Sequence, residues 1–311
     1  MTNRIITMRY HKRFDMPAKR KKKLFDRVAI IGLGLMGASL GLALKRAKIA
    51  DKVVGFARRP ETRKQALAKK IVDIACERME DAVQGADFIV LCAPVGVIPD
   101  MMKQCRKCLS PNAIVTDVGS VKACIVAEAE KVFMGGKAEF VGSHPIAGSE
   151  QHGLESARAD LYRRAVVAVT PARRTTERAL RIVRQFWQML VAEVVQISPE
   201  AHDRIIARTS HLPHVIAALL AGCVGREHAG QYGRFCGTGF RDTTRIAEGD
   251  PELWRDILEN NACFLVKELE AFEKELKHLL AGLKKGGGGV MGKHLSRGRE
   301  RRRRLLAGKG A

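Results

Sequence analysis

The stretch Val28-Ala29-Ile30-Ile31-Gly32-Leu33-Gly34-Leu35-Met36-Gly37 constrains this chain more than any other. An apolar run of strand character breaks into G-x-G-x-x-G, and an amphipathic segment from Ala38 to about Lys48 follows. Between a strand and a helix these glycines have separate tasks. Gly32 permits a tight turn, Gly34 lets the backbone approach a pyrophosphate, and Gly37 lets helix and strand pack closely. The helix N-terminus beyond them offers free N–H groups and a partial positive charge to phosphates. Gly32, Leu33, Gly34, Leu35, Met36 and Gly37 are therefore read as a dinucleotide cradle; the rival reading is a tight turn that holds no ligand.

Apolar strands then alternate with helices: Lys52–Phe56, Phe88–Cys92, Ala113–Thr116, Phe140–Gly142, Ala165–Val169 and Glu193–Ile197, with a helix from Thr176 to Leu190 before the last. Continuous apolar strands in this alternation predict a parallel sheet covered on both faces. After Ser198 the strand signal stops, and 199–225 and 251–281 read as long helices. Asp250-Pro251-Glu252 is a good helix start: an N-cap acid, a proline at the first position and a second acid facing the positive helix end. In the last helix Leu258, Leu265, Leu269, Phe272, Leu276 and Leu279 form a stripe that needs a cover. The expected fold is α/β: a Rossmann-type, doubly wound, mostly parallel sheet over 27–197, then an all-helical dimerisation domain over 198–283 that builds a homodimer.

Cofactor choice is read at the end of the second strand, where an acid would bind the ribose 2′-OH of NAD. The chain has Phe56-Ala57-Arg58-Arg59 there. Two guanidiniums suit a 2′-phosphate in geometry and charge, so NADP is expected over NAD, with NAD as the alternative. The rival reading is a solvated loop charge. Ala93 and Pro94, just past the strand Phe88–Cys92, are also assigned to the cofactor site.

The net charge of +22 is uneven. Residues 1–26 hold nine Lys/Arg against two Asp, and 284–311 hold ten against one Glu, which leaves the body only mildly basic. Both ends lack apolar periodicity and are expected to be solvated, disordered tails; nonspecific polyanion contact is their functional alternative. No apolar segment follows the first tail, so a secretory signal is not expected, and Met8 and Met16 are alternative starts. The longest nearly apolar run falls short of the roughly 18 residues of a membrane span. Eight scattered cysteines do not resemble a disulfide scaffold, and the expected location is the cytoplasm. Cys105 and Cys108 form a lone C-x-x-C with no second pair, and His211 and His214 have no third ligand at suitable spacing; no metal is expected.

Polar segments at strand ends mark the chemical site, because ligands of open α/β sheets bind beyond the carboxyl ends of the strands. They are Asp117-Val118-Gly119-Ser120-Val121-Lys122 and Gly142-Ser143-His144-Pro145-Ile146-Ala147-Gly148-Ser149-Glu150, followed by His211-Leu212-Pro213-His214 and Arg241-Asp242-Thr243-Thr244-Arg245. With the glycine turn, these segments resemble, in order and over about 27–281, the prephenate/arogenate dehydrogenase family of tyrosine biosynthesis.

The resemblance implies oxidative decarboxylation of prephenate to 4-hydroxyphenylpyruvate, with arogenate as the alternative substrate. By motif, it implies that His144 accepts the proton of the ring hydroxyl, a task suited to an imidazole at neutral pH. It implies that Ser120 positions hydroxyl and imidazole together, that Arg245 binds one substrate carboxylate and that His214 contacts the other. Glu150 and Asp242 would shape or gate the site. Rival readings are a packing role for His144, a cap by Ser120 on a helix starting near Val121, and an Asp242–Arg245 ion pair. Dehydrogenases of the β-hydroxyacid type share the glycine turn but use a helical-domain lysine, and this chain has no Lys between 198 and 266. The remaining alternative is a nucleic-acid- or membrane-associated protein acting through its basic tails.

Overall fold

The structure, a computed structural model, describes residues 23–147, 151–191, 193–226, 229–286 and 288–307. Most of the N-terminal basic tail (1–22), Glu150 and the last four residues lie outside the described residues. The chain divides into two compact units, Met1–Ala262 and Cys263–Ala311.

The first unit is built on eight strands: β1 (Phe25–Ile31), β2 (Ala50–Phe56), β3 (Ile74–Cys76), β4 (Phe88–Leu91), β5 (Ile114–Asp117), β6 (Glu139–Ile146), β7 (Val166–Pro171) and β8 (Glu193–Gln196). Their order is β3-β2-β1-β4-β5-β6-β7-β8, and every neighbouring pair is parallel except β6–β7. Strand β3 was not anticipated: three residues carry too little periodicity to read. The sheet is covered on both faces, as continuous apolar strands require. Val28 and Ile30 of β1 pack in one core with Phe88, Val167, Phe186 and Trp187. Ala29 and Ile31, on the opposite face, join Ile89, Leu91, Val115 and Ile125.

Helices α1 (Leu35–Ala47), α2 (Pro60–Ala68), α3 (Met79–Val83), α4 (Ile98–Arg106), α5 (Ala123–Val132) and α6 (Glu177–Gln188) connect the strands. The chain order reverses beside β1, whose neighbours are β2 and β4, so the carboxyl end of β1 opens on the crevice where such sheets bind ligands. Gly32 stands there.

Beyond the sheet come α7 (Pro199–Ile206), a π-helical turn (Ala207–His211), α8 (Leu212–Val224), α9 (Ala229–Gly233), α10 (Thr238–Thr244) and α11 (Pro251–Asn260). Ser198 caps α7 by accepting from the N–H of Ala201. The helix expected over 199–225 is continuous from Pro199 to Val224, with the π turn inside it. One expectation needs correction: 251–281 is not one helix but breaks at Asn261, whose amide turns inward to Asp203 and His211. By length and composition, Pro199–Val224 is also apolar enough to cross a membrane, contrary to the run count from sequence. It carries buried His202, Asp203, His211 and His214, and it leaves Ile205 and Leu219 exposed.

The second unit comprises α12 (Ala262–Lys284), apart from its first residue, and α13 (Gly288–Leu306). Helix α13 occupies a segment expected to be a disordered tail. Arg and Leu are good helix formers, and Glu300 pairs with Arg304 one turn on. On α12 the stripe residues Phe272 and Leu276 are 38% and 54% exposed.

Candidate active site

The glycine turn has the shape of a phosphate cradle. Gly32 sits at φ +106°, and a Cβ there would fall 2.1 Å from the carbonyl oxygen of Cys92. A Cβ on Gly37 would fall 1.9 Å from the carbonyl oxygen of Gly32, so helix and turn touch. A Cβ on Gly34 would meet nothing within 4 Å among the described residues. The two outer glycines are thus demanded by the fold, whereas Gly34 borders open space at the N-terminus of α1, where no described side chain caps the first N–H groups. These residues fit a dinucleotide pyrophosphate.

Leu33 turns its side chain into the core, while Leu35 and Met36 are partly buried against it. Arg58 and Arg59 follow β2, are exposed, and make no ion pair among the described residues. Ala93 and the exposed Pro94 follow β4.

His144 lies near the end of β6, opposite Ala168 of β7. Because β1, β4, β5 and β6 run parallel, it shares the carboxyl edge of the sheet with the glycine turn and with Ser120. The ring is half-buried, and its Nδ1 lies 2.9 Å from Nε2 of His202 on α7. Nδ1 of His202 lies 2.7 Å from Oδ1 of Asp203. The Asp203 carboxylate also accepts the N–H groups of Lys122 (2.7 Å) and Ala123 (2.8 Å), the start of α5. That role belongs to Asp203 and not to Ser120: α5 begins at Ala123 with no side-chain cap at Lys122, which corrects the capping alternative for Ser120. Ser120 is half-buried in the turn between β5 and α5.

Below the imidazole, Lys122 and Asp117 form a fully buried ion pair. Asp117 accepts the N–H of Ser143, Lys122 donates to the Ser143 carbonyl, and the Ser143 hydroxyl donates to the Asp117 carbonyl. Burial, reinforced by His202, Lys122 and His211, holds the His144 pKa well below its ordinary value, so the ring is a neutral base at neutral pH. Burial also lowers His202 against the pull of Asp203, and it pushes His211 down to about 4.

The helical residues gather nearby. His211 Nδ1 takes a hydrogen bond from the Asn261 amide at 3.0 Å, and His214 stacks on Trp254 with ring centroids 3.4 Å apart. Among the described residues, His211 Nε2 and His214 Nδ1 are buried without a hydrogen-bond partner, and burial lowers the His214 pKa. Arg245 opens a short 3-10 turn after α10 and is exposed, as is Asp242 on α10. Glu150 is outside the described residues. The backbone N–H of Gly96, after β4, donates to both carboxylate oxygens of Asp256 on α11, tying the helical part to the loop beside the cradle.

The sequence reading missed His202, Asp203 and Asn261 as partners of the site. The signal was present: an adjacent His-Asp pair one turn into a helix that is otherwise apolar on its inner face. In the second unit Glu275, His278 and His294 bring ligand atoms within 4.8 Å of one another, a grouping that spacing along the chain did not flag.

The family profile of the prephenate dehydrogenase nucleotide-binding domain matches residues 40–196, and that of the prephenate dehydrogenase dimerization domain matches 198–296. A cyclohexadienyl dehydrogenase of Zymomonas mobilis is 32% identical, over 90% of this chain and 96% of its own. The crystal structure of prephenate dehydrogenase from A. aeolicus in complex with hydroxyphenyl propionate and NAD+ superposes with a TM-score of 0.83 at 33% identity, over 90% of this chain and 98% of that one. Synechocystis arogenate dehydrogenase does so with a TM-score of 0.77 at 30% identity, over 90% and 99%. On the two domain matches and these likenesses over 90% of its length, the chain belongs to the prephenate dehydrogenase family.

Proposed function

We propose that this NAD(P)-dependent oxidoreductase converts prephenate to 4-hydroxyphenylpyruvate and CO₂. One observation carries the reading: a neutral, half-buried imidazole, His144, stands on the same sheet edge as the glycine cradle. Gly32, Leu33, Gly34, Leu35, Met36 and Gly37 hold the dinucleotide pyrophosphate through their backbone, with Ala93 and Pro94 beside them. When bound, the nicotinamide supplies the acceptor for hydride from the ring carbon that bears the 4-hydroxyl.

His144 draws the hydroxyl proton as the C–H bond on that carbon breaks. The ring carboxylate then leaves as CO₂, its bonding pair stays to complete the aromatic ring, and the proton returns to the phenolic oxygen. Ser120 orients the hydroxyl toward the imidazole. Arg245 binds one substrate carboxylate, where a planar two-pronged donor gains charge and direction. His214 meets the other carboxylate; its buried Nδ1, unpartnered among the described residues, supports a ligand-facing role. Glu150 and Asp242 shape the entrance.

Arg58 and Arg59, exposed past β2 where an acid would select NAD, favour NADP. The match to a dimerization domain and the exposed Ile205, Leu219, Phe272 and Leu276 support a homodimer built by the helices. The test is an assay crossing prephenate and arogenate with NADP and NAD. The expected result is the highest kcat/KM with prephenate and NADP; turnover of neither substrate overturns the proposal, and a preference for arogenate moves it to the other family substrate.

A further inference from the structure

We infer that His202 and Asp203 form a relay that sets the tautomer of His144, keeping its proton on Nδ1 and leaving Nε2 bare to take the substrate proton. The inference rests on the reading of His144 as proton acceptor and adds two positioning residues to it.

Donor accounting carries the argument. The Asp203 carboxylate already accepts two backbone N–H groups from the start of α5, and as a carboxylate it only accepts. The 2.7 Å contact to His202 Nδ1 therefore requires a proton on that nitrogen. A neutral imidazole protonated at Nδ1 has a lone pair at Nε2. That lone pair lies 2.9 Å from Nδ1 of His144, so His144 is the donor of this bond and carries its proton on Nδ1. The reverse assignment would aim a His202 lone pair at the carboxylate. Burial keeps His202 neutral, which removes the doubly protonated alternative.

Both ends of the relay are pinned. Asn261 donates to the Asp203 carbonyl at 3.0 Å, and the Ser198 cap starts the helix that carries both relay residues. On the other side, the β6–β7 pairing and the grip of Asp117 and Lys122 on Ser143 fix the backbone leading into His144. When the substrate hydroxyl gives its proton to Nε2, no other proton need leave the pair. The resulting imidazolium then has His202 and, beyond it, the Asp203 carboxylate in line with its Nδ1–H. This is the orientation that a buried acid gives a catalytic imidazole directly in serine hydrolases, here with a second ring interposed.

The test is ¹⁵N NMR of the histidine ring nitrogens in the full chain, with steady-state kinetics of His202→Leu and His202→Gln. In the wild type, His144 is expected to carry its proton on Nδ1, a reading that needs no variant. His202→Leu should shift that proton toward Nε2 and lower kcat by roughly ten- to a hundredfold, with cofactor KM unchanged. His202→Gln, whose carbonyl can accept from His144 while its amide donates to Asp203, should keep the tautomer and recover kcat to within a few-fold. A wild-type proton on Nε2, or a tautomer unmoved in His202→Leu, overturns the relay whatever the enzyme turns over. A tautomer that moves in His202→Leu without loss of kcat instead overturns the proton-acceptor reading of His144, and with it the relay's part in the reaction.

Discussion

Asp117 and Lys122 grip the peptide of Ser143 from its two ends: Oδ1 of Asp117 accepts its N–H at 3.0 Å, and Nζ of Lys122 donates to its carbonyl at 3.0 Å. Both side chains are fully buried and paired with each other. A buried pair of this kind is weak evidence for net stability, yet removing one partner strands the other charge in the interior. Lys122→Met should therefore destabilise the protein by about 3–5 kcal/mol in urea unfolding. A loss below about 1 kcal/mol would show that Asp117 finds another partner or protonates at little cost.

The glycine cradle makes a prediction that separates fold from ligand. Gly34→Ala adds a methyl group into open space and should leave stability within about 1 kcal/mol, while cofactor affinity falls by at least about tenfold because that space is where the pyrophosphate lies. Gly37→Ala drives a Cβ into the Gly32 carbonyl and should destabilise the fold itself. Titration of the dinucleotide by fluorescence, beside thermal melts, reads both. Unchanged affinity in Gly34→Ala would remove the pyrophosphate from this turn.

Cofactor choice is tested at Arg58 and Arg59. Replacing both by Ala should lower kcat/KM with NADP by roughly ten- to a hundredfold and leave the value with NAD within about threefold, because only the 2′-phosphate would lose partners. Equal losses with both cofactors would mean the arginines do not read the ribose.

The nucleotide-binding half was legible because its signals are local. A strand breaking into Gly32-x-Gly34-x-x-Gly37 dictates turn and helix within ten residues, and each apolar strand segment read along that half corresponds to a strand. His144 stood out through its motif and its place at a strand end. The His202-Asp203 pair was legible as a polar pair on an apolar helix face, but its contact with His144 was not, because His144 and His202 are 58 residues apart and only the packing of α7 against the sheet edge brings their rings together. The break at Asn261 escaped for the same reason: the leucine spacing runs through it, and what stops the helix is an amide drawn to Asp203 and His211. The π turn before α8 likewise leaves no mark in hydrophobic periodicity, although it sets the phase between His202 and His211.

The buried imidazoles also predict an acid limit to stability. His211 is held near 4 against an ordinary 6.5, and His144, His202 and His214 are shifted the same way. Between those values the unfolded chain binds protons that the folded chain refuses. Stability is therefore full above the unfolded pKa and declines as pH falls toward the folded one, with His211 alone contributing on the order of 3 kcal/mol. Thermal midpoints should drop steeply from about pH 6.5 to about pH 4, and less steeply in His211→Gln. A midpoint as high at about pH 4.5 as at about pH 7.5 would contradict this.

The most direct measurement on the whole account is the turnover of His144→Asn with prephenate, beside its affinity for the dinucleotide. Asparagine keeps a polar group in the cleft but cannot take a proton at neutral pH. The account predicts a fall in kcat of at least about a hundredfold, with the dinucleotide dissociation constant within about twofold of wild type. A variant that retains more than about half of the wild-type kcat would contradict it, because the proton of the ring hydroxyl would then be leaving by another route.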